Sequence, residues 1–399
     1  MPARPTLLLL ALGAFAVGTD NLVVNGVLAS IAVSMDVPEA AAGQLVTVFA
    51  LVYAVGAPVL AVITADLSRR VLLTASMAAF VAGNALAALA PTFGTLMAGR
   101  VLSALAAACY MGPAMAAAAA LVPASHRGRA LALVGGGLTV ATALGVPLGT
   151  LLGHLGGWRL TFTAVAVIAA IAAAGIGTRL PPVPNPPTAG LAARVRVAGR
   201  SPVLLGLAAN TATVAGTFAL FTYIGPLSLR ETPIGAAFTV VLLAWGLAAV
   251  AGNHLGGRWT DTFGADRTLT TGMLGVALVL AAISLLTVVI PPDRAVGVPL
   301  LLLAVAALGV TSWALPAAQL HRMVGLAPES AAVMSSLNSS ATYLGLALGG
   351  ALGGLTLAVA SPSALGWIGA LLQLPAIALV AASRHRRNAT ARPDHAGAH

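Results

Sequence analysis

The chain has 399 residues, of which 59% are hydrophobic and only 8% charged, with a formal net charge of +10. An ordinary soluble domain carries about 25% charge, so a water-soluble core of this composition is excluded and lipid must be the solvent. The single cysteine, Cys109, excludes an internal disulfide and, lacking companion ligands, argues against a metal site. All 20 basic residues are arginine, and all but Arg100 fall at or beyond the ends of the apolar runs. That placement reflects membrane topology rather than a nucleic-acid partner.

In chain order, twelve apolar runs are long enough to cross a bilayer. The first half contains 6–33, 43–65, 71–90, 94–122, 130–153 and 160–178; the second contains 203–229, 235–257, 268–290, 298–322, 331–358 and 364–383. The first run is too long for a signal peptide and reads as a span. The runs are continuous rather than alternating, which predicts helices in an all-α membrane protein. Residues 1–178 are expected to form an N-terminal six-helix bundle, 179–202 a linker, 203–384 a second bundle, and 385–399 a disordered basic tail. Prolines stop the sixth helix, and Arg194, Arg196 and Arg200 are expected to keep the linker in water.

With the N-terminus inside, sixteen arginines fall on the cytoplasmic side and three (Arg159, Arg230, Arg294) on the other. The positive-inside rule then places both termini in the cytoplasm. Gly145, Gly149 and Gly153 recur as Gly345, Gly349 and Gly353, each 200 positions on. A fixed offset of half the chain predicts two copies of one unit with small-xxx-small helix faces, meeting around a central site.

Asp20 is the only acidic residue deep inside a span, in AVGTDNLVVNGV. A charged carboxylate in hydrocarbon costs several kcal/mol, so it must face a cavity or partner, or hold a proton. Such a group can couple proton flow to transport; the plainer alternative is a structural Asp bonded to neighbours such as Thr19. Arg100 lies about two turns into the fourth span, where it either snorkels outward or biases the protonation of Asp20. The loop after the second span has Asp66, Arg69 and Arg70; that after the eighth has Gly257, Asp261, Gly264 and Arg267. An Asp beside arginines at a helix end can latch one conformation. Pro147, among the fifth-span glycines, predicts a kink or hinge. Candidate cavity residues are Asn21, Asn25, Tyr53, Tyr110, Met111, Met115, Asn210, Phe218, Phe221, Tyr223, Trp313, Asn338 and Tyr343, combining adaptable apolar contacts with a few amides.

Over essentially its whole length the chain resembles the major facilitator superfamily, and within it the twelve-helix drug:proton antiporters. The branch it is most similar to holds bacterial chloramphenicol-resistance exporters and related sugar- and arabinose-type efflux proteins. The resemblance rests on GTDNLVVNGVLASIA, the Asp66 loop, GRVLSALAAA, PASHRGRALAL, GVPLGTLLGHLGGWRLTF and FTYIGPL. It implies two pseudo-symmetric six-helix bundles. The GVPLG run corresponds to the family's antiporter motif, Arg100 to its helix 4 arginine implicated in proton transfer, and Asp20 to the branch's usual acidic position. Val62 replaces the first gating loop's opening glycine, Leu67 the arginine after its Asp, and Ser103 and Ala104 a common Gln and Gly.

The expectation is therefore an alternating-access exporter of small amphiphilic, chloramphenicol-like molecules. It would exchange them for protons in a bacterial cytoplasmic membrane and act as a monomer. A sugar, nucleoside or other metabolite transporter is the alternative. No cofactor, metal, nucleic acid or nucleotide is expected; no GxxxxGK[ST] segment occurs. An intramembrane enzyme would need paired catalytic groups, against which the spans offer Asp20, Arg100 and His154, His254 and His321 near helix ends.

Overall fold

Apolar side chains on every face can be solvated by lipid, but the backbone amides cannot, so each span closes its own hydrogen bonds as a helix. The computed structural model describes residues 4–183, 190–224, 235–289 and 297–390, among which there is no strand. Arg230, Arg294, the end of FTYIGPL and the last residues of the tail lie outside the described residues.

Twelve helices have the length and hydropathy to span a membrane. They are α1 (Arg4–Ser34), α2 (Glu39–Ile63), α3 (Arg69–Ala88), α4 (Phe93–Ala120), α5 (Arg127–Gly156) and α6 (Trp158–Arg179) in the first half. The second half has α7 (Ser201–Phe221), α8 (Gly235–Phe263), α9 (Ala265–Val289), α10 (Pro299–Leu326), α11 (Ala331–Val359) and α12 (Ala364–Thr390). Ser68 and Thr92 cap α3 and α4 by accepting from Val71 N and Thr95 N.

Proline breaks three spans. Its ring removes one N–H and crowds the carbonyl four residues earlier. In α4 the helix loosens at Cys109–Tyr110, four and three residues before Pro113. In α10 it breaks at Ala314, just ahead of Pro316. The hinge expected at Pro147 takes the form of a π-helical turn, Ala141–Gly145, immediately before it.

The duplication is visible in the packing. Within the first half α1 packs on α5 and α6, α3 on α4 and α6, and α2 on α4; each pairing recurs with its counterpart in the second half. Gly145, Gly149 and Gly153 on α5 face Thr19, Val23 and Val27 on α1. Their counterparts on α11 face Thr211, Ala215 and Ala219 on α7, each 192 positions after the matching α1 residue. At all six glycines an added Cβ would overlap the facing helix, so the stripe sets how closely the helices approach.

The halves join along two seams, α2 with α11 and α5 with α8. On the first, Gly43 lies against Tyr223, Thr47 against Gly350, Ala50 against Leu346 and Ala347, and Tyr53 against Tyr343. On the second, Thr142 and Ala143 meet Gly246, and Thr150 and Leu242 converge on Gly26. These contacts occupy mid-bundle and the face away from the linker, whereas none of residues 57–63 at the linker end of α2 is buried. The halves therefore part toward the linker face.

The linker departs from expectation. It contains a short helix, Leu191–Ala198, and Arg194 is buried rather than solvated, donating to Ser336 Oγ at 2.8 Å. Arg200 Nη1 donates to Glu329 Oε1 at 2.8 Å and holds that carboxyl below its ordinary pKa. At the other end, α12 stays helical through Thr390, so 385–390 is not the disordered tail predicted.

Gly149→Ala and Gly349→Ala should each lower stability by about 1–3 kcal/mol, the usual cost of overpacking. Gly257→Ala, where an added Cβ meets open space, should stay within about 0.5 kcal/mol of the native chain. Thermal unfolding of the purified proteins in detergent measures the contrast, and equal losses at all three sites would contradict the stripe's role.

Candidate functional site

The strongest electrostatic feature lies where the α1 polar run meets α4. Asp20 Oδ1 is 2.8 Å from Arg100 Nη1, and neither side chain is more than 1% exposed. Distance and orientation disagree here: the atoms are close, yet neither group completes a well-aligned hydrogen bond. Attraction between the full charges is therefore the larger part of the contact, with N–H···O alignment the smaller part. Asp20 Oδ2 and Arg100 Nε and Nη2 have no hydrogen-bond partner among the described residues either. The guanidinium instead sits 4.3 Å from the Phe49 ring centroid and 5.9 Å from that of Phe162, giving it cation–π contacts.

Magnitudes show why such a pair is poised. At this distance and an effective dielectric constant of about 20, the attraction is about 6 kcal/mol. Desolvation costs several kcal/mol for each ion. The two nearly cancel, so the pair contributes little net stability while removal of either partner is expensive.

Around it α1 presents further polar atoms. Thr19 Oγ1, Asn21 Oδ1 and both amide atoms of Asn25 are buried without hydrogen-bond partners among the described residues. Unsatisfied buried groups cost about 1–3 kcal/mol each, and a cluster of them marks a site rather than packing. Gly145 of α5 lies against Thr19, bringing the α5 backbone next to the Asp20 turn.

Two tyrosines bridge the halves nearby. Tyr53 of α2 and Tyr343 of α11 stack with centroids 3.6 Å apart and planes inclined by 19°. Phe49, against which Arg100 lies, immediately precedes Ala50, which packs on Leu346 and Ala347, so the ion pair is close to the inter-half seam. On the second-bundle side of the seam, Asn210 Nδ2 of α7 donates to Thr342 Oγ1 of α11 at 2.9 Å and more weakly to Asn338 Oδ1 at 3.4 Å. An aromatic column, Phe218, Phe221, Trp245 and Trp313, continues from there through edge-to-face and stacked contacts.

Other residues expected in the cavity are placed elsewhere. Tyr110 is fully buried within the first bundle, where its hydroxyl donates to the Leu10 carbonyl at 2.9 Å. Tyr223 is likewise buried, donating to the Gly350 carbonyl and closing the face away from the linker. Met111 and Met115 are half-buried against the first bundle's core.

Of the two loops expected to act as latches, neither is engaged. Asp66 and Asp261 are both exposed, and among the described residues no ion pair or hydrogen bond joins either to a neighbouring helix. Arg70 caps α6 through the Gly177 carbonyl, Arg69 is buried, and Gly264 has the positive φ of +83° that its turn requires. The carboxylate that does pair is Asp266, one residue before Arg267. It accepts from Arg322 Nε at 2.7 Å and Arg387 Nη2 at 2.9 Å.

Sequence reasoning missed Asp266, Phe49, Phe162, Thr342 and Trp245. Trp245 alone carried a usable signal, a tryptophan in mid-span; the pairing of residues from distant helices left none.

A family model described as Major Facilitator Superfamily matches residues 10–235. The chain is 35% identical over 348 residues to a chloramphenicol resistance protein of Streptomyces lividans, covering 86% of both chains. It is 28% identical to a probable sugar efflux transporter of Helicobacter pylori, covering 92% of each. Among solved structures, a bacterial homolog of the human lysosomal transporter Spinster, in an inward-facing and unoccupied conformation, superposes with a TM-score of 0.69 at 19% identity, covering 96% of this chain and 95% of that one. With twelve spans arranged as two like bundles, the chain is a multi-pass membrane protein that belongs to the major facilitator superfamily.

Proposed function

We propose that this transporter exports small amphiphilic molecules of the chloramphenicol type in exchange for protons, and that the Asp20–Arg100 pair is the coupling element. The carrying observation is a pair of opposite charges, sealed from solvent and close to the seam, whose mutual attraction only balances its desolvation. Arginine does not lose its proton in proteins, so Asp20 is the member that changes state. When its carboxylate accepts a proton the attraction to Arg100 disappears. The guanidinium keeps its charge, held by Phe49 and Phe162, and becomes available to a carbonyl or anionic group. Loss of that proton restores the pair. The halves part toward the linker face, and the arginine distribution supports that face, with both termini, as the cytoplasmic one. The substrate class is supported by the name of the S. lividans relative.

A sugar or related metabolite is the second reading. It is supported by the name of the H. pylori relative and by the Asn210, Asn338 and Thr342 cluster, which offers hydroxyl-binding groups.

In an efflux-deficient host, the native chain should raise tolerance to chloramphenicol-like compounds, and Asp20→Asn should return it to the host level. Equal tolerance of every compound by the two strains would overturn the export reading. In inverted vesicles, an acid interior should drive uptake of the compound by the native chain but not by Asp20→Asn; uptake without a pH gradient would rule out antiport.

Arg100→Leu leaves a buried carboxylate alone and should cost about 3–5 kcal/mol, with much of the loss recovered in the Asp20→Asn/Arg100→Leu double variant. Chemical unfolding of all four proteins gives the coupling energy. Additive losses would mean that the two side chains do not interact.

Oxidising a Thr47→Cys/Gly350→Cys pair, with Cys109→Ala, should stitch α2 to α11 at the closed face and stop export until a reductant is added. Unimpaired export by the cross-linked protein would exclude opening at that seam.

A further inference from the structure

A second charged cluster lies far from the Asp20 pair, at the linker-side ends of three spans: the start of α9, the end of α10 and the end of α12. There a pocket is lined by Phe263, Asp266, Arg267, His321, Arg322 and Arg387 together with small residues. Three guanidinium groups line it beside one carboxylate, and the two oxygens of Asp266 are taken by Arg322 and Arg387. Among the described residues the lining thus carries two positive charges in excess. Arg322 is almost completely buried, and its Nη1 has no hydrogen-bond partner among the described residues. Such an excess in a concave site, with arginines whose forked donors match phosphate oxygens, is chemistry for an anion.

The depth of the pocket identifies where the anion comes from. It sits where α9 begins and α10 and α12 end, and the ends of spanning helices are where headgroups are met. Phe263 on its rim is 56% exposed, and Trp259, one turn earlier on α8, is 37% exposed. Aromatic side chains at a span end lie at the membrane interface. Basic pockets between span ends on the arginine-rich side are suited to anionic phospholipids.

We propose that this pocket binds a phosphate group, that of an anionic phospholipid headgroup, with Arg267 and His321 at its mouth and the Asp266–Arg322–Arg387 network as its floor. Both mouth residues are exposed, so substituting them leaves the fold intact.

The test uses the full chain in phosphate-free buffer and measures bound lipid by native mass spectrometry in mixed phosphatidylglycerol and phosphatidylcholine micelles. Phosphatidylglycerol should be retained preferentially by the native chain. Its affinity should fall about fivefold in Arg267→Gln and about 25-fold in Arg267→Gln/Arg387→Gln, a factor of about five for each charge removed near the surface. Thermal unfolding in parallel confirms that the single variant is folded. In a second arm, inorganic phosphate is titrated into phosphatidylcholine micelles. Stabilisation that appears there and disappears in Arg267→Gln would support the phosphate site with free phosphate as its occupant. Equal retention of phosphatidylglycerol by the native and variant chains, with no effect of phosphate on either, would overturn the proposal.

Discussion

The proposed chemistry of this molecule depends on two opposite charges held in a medium that tolerates neither alone. Asp20 and Arg100 are brought within 2.8 Å by helices that belong to one bundle, in surroundings of phenyl rings and unpartnered amides. In water such a pair would contribute at most about 1 kcal/mol; in the bundle core its attraction and its desolvation are each several kcal/mol and opposed. Near-cancellation of large terms is what lets one proton matter. A pair held firmly would ignore it, and a single uncompensated charge would not be kept at all.

The two bundles share a scaffold but not this chemistry. Thr19, Val23 and Val27 have Thr211, Ala215 and Ala219 as counterparts against the second glycine stripe. The same 192-residue offset puts Ala212 where Asp20 stands, and Thr213 and Thr217 where Asn21 and Asn25 stand. Duplication thus reproduced the helix packing, which needs only small residues at four-residue spacing. The charge stands on one side only. In the proposed cycle the first bundle carries the proton and the second supplies aromatic and amide surface, so coupling has to pass across the seam. Tyr53 and Tyr343, stacked between the halves, are the side chains positioned to carry it.

What could be seen in the sequence followed from periodicity and solvent. Twelve apolar runs with almost no charge become twelve helices, because lipid allows nothing else, and the glycine triplets mark helix contacts because their spacing matches one helical face. Asp20 and Arg100 stood out singly for the same reason: a charge in an apolar run is conspicuous. Their distance was not legible, since residues 80 positions apart meet only through the packing of α1 on its neighbours. Tyr110 and Tyr223 were misplaced because a tyrosine in a span has the same composition signal whether it lines a cavity or donates to a carbonyl of the next helix. Arg194 was misjudged on similar grounds, as a linker arginine reads as solvated unless a serine on another helix is known to lie beside it.

The loop carboxylates show how one arrangement of the halves decides which charges are used. Asp66 and Asp261 follow α2 and end α8, the two helices that form the seams with the opposite half. With contact concentrated away from the linker, the ends of these helices are held apart and both carboxylates remain in solvent. Asp266 behaves differently because its partners, Arg322 and Arg387, come from its own bundle and do not move away. A charge paired within a bundle serves the fold in every state of a rocking transporter, whereas a charge at the end of a seam helix can find a partner across the halves only when the linker face closes. In the proposed cycle the loop aspartates therefore belong to the opposite state, and their exposure here is what alternating access requires of them.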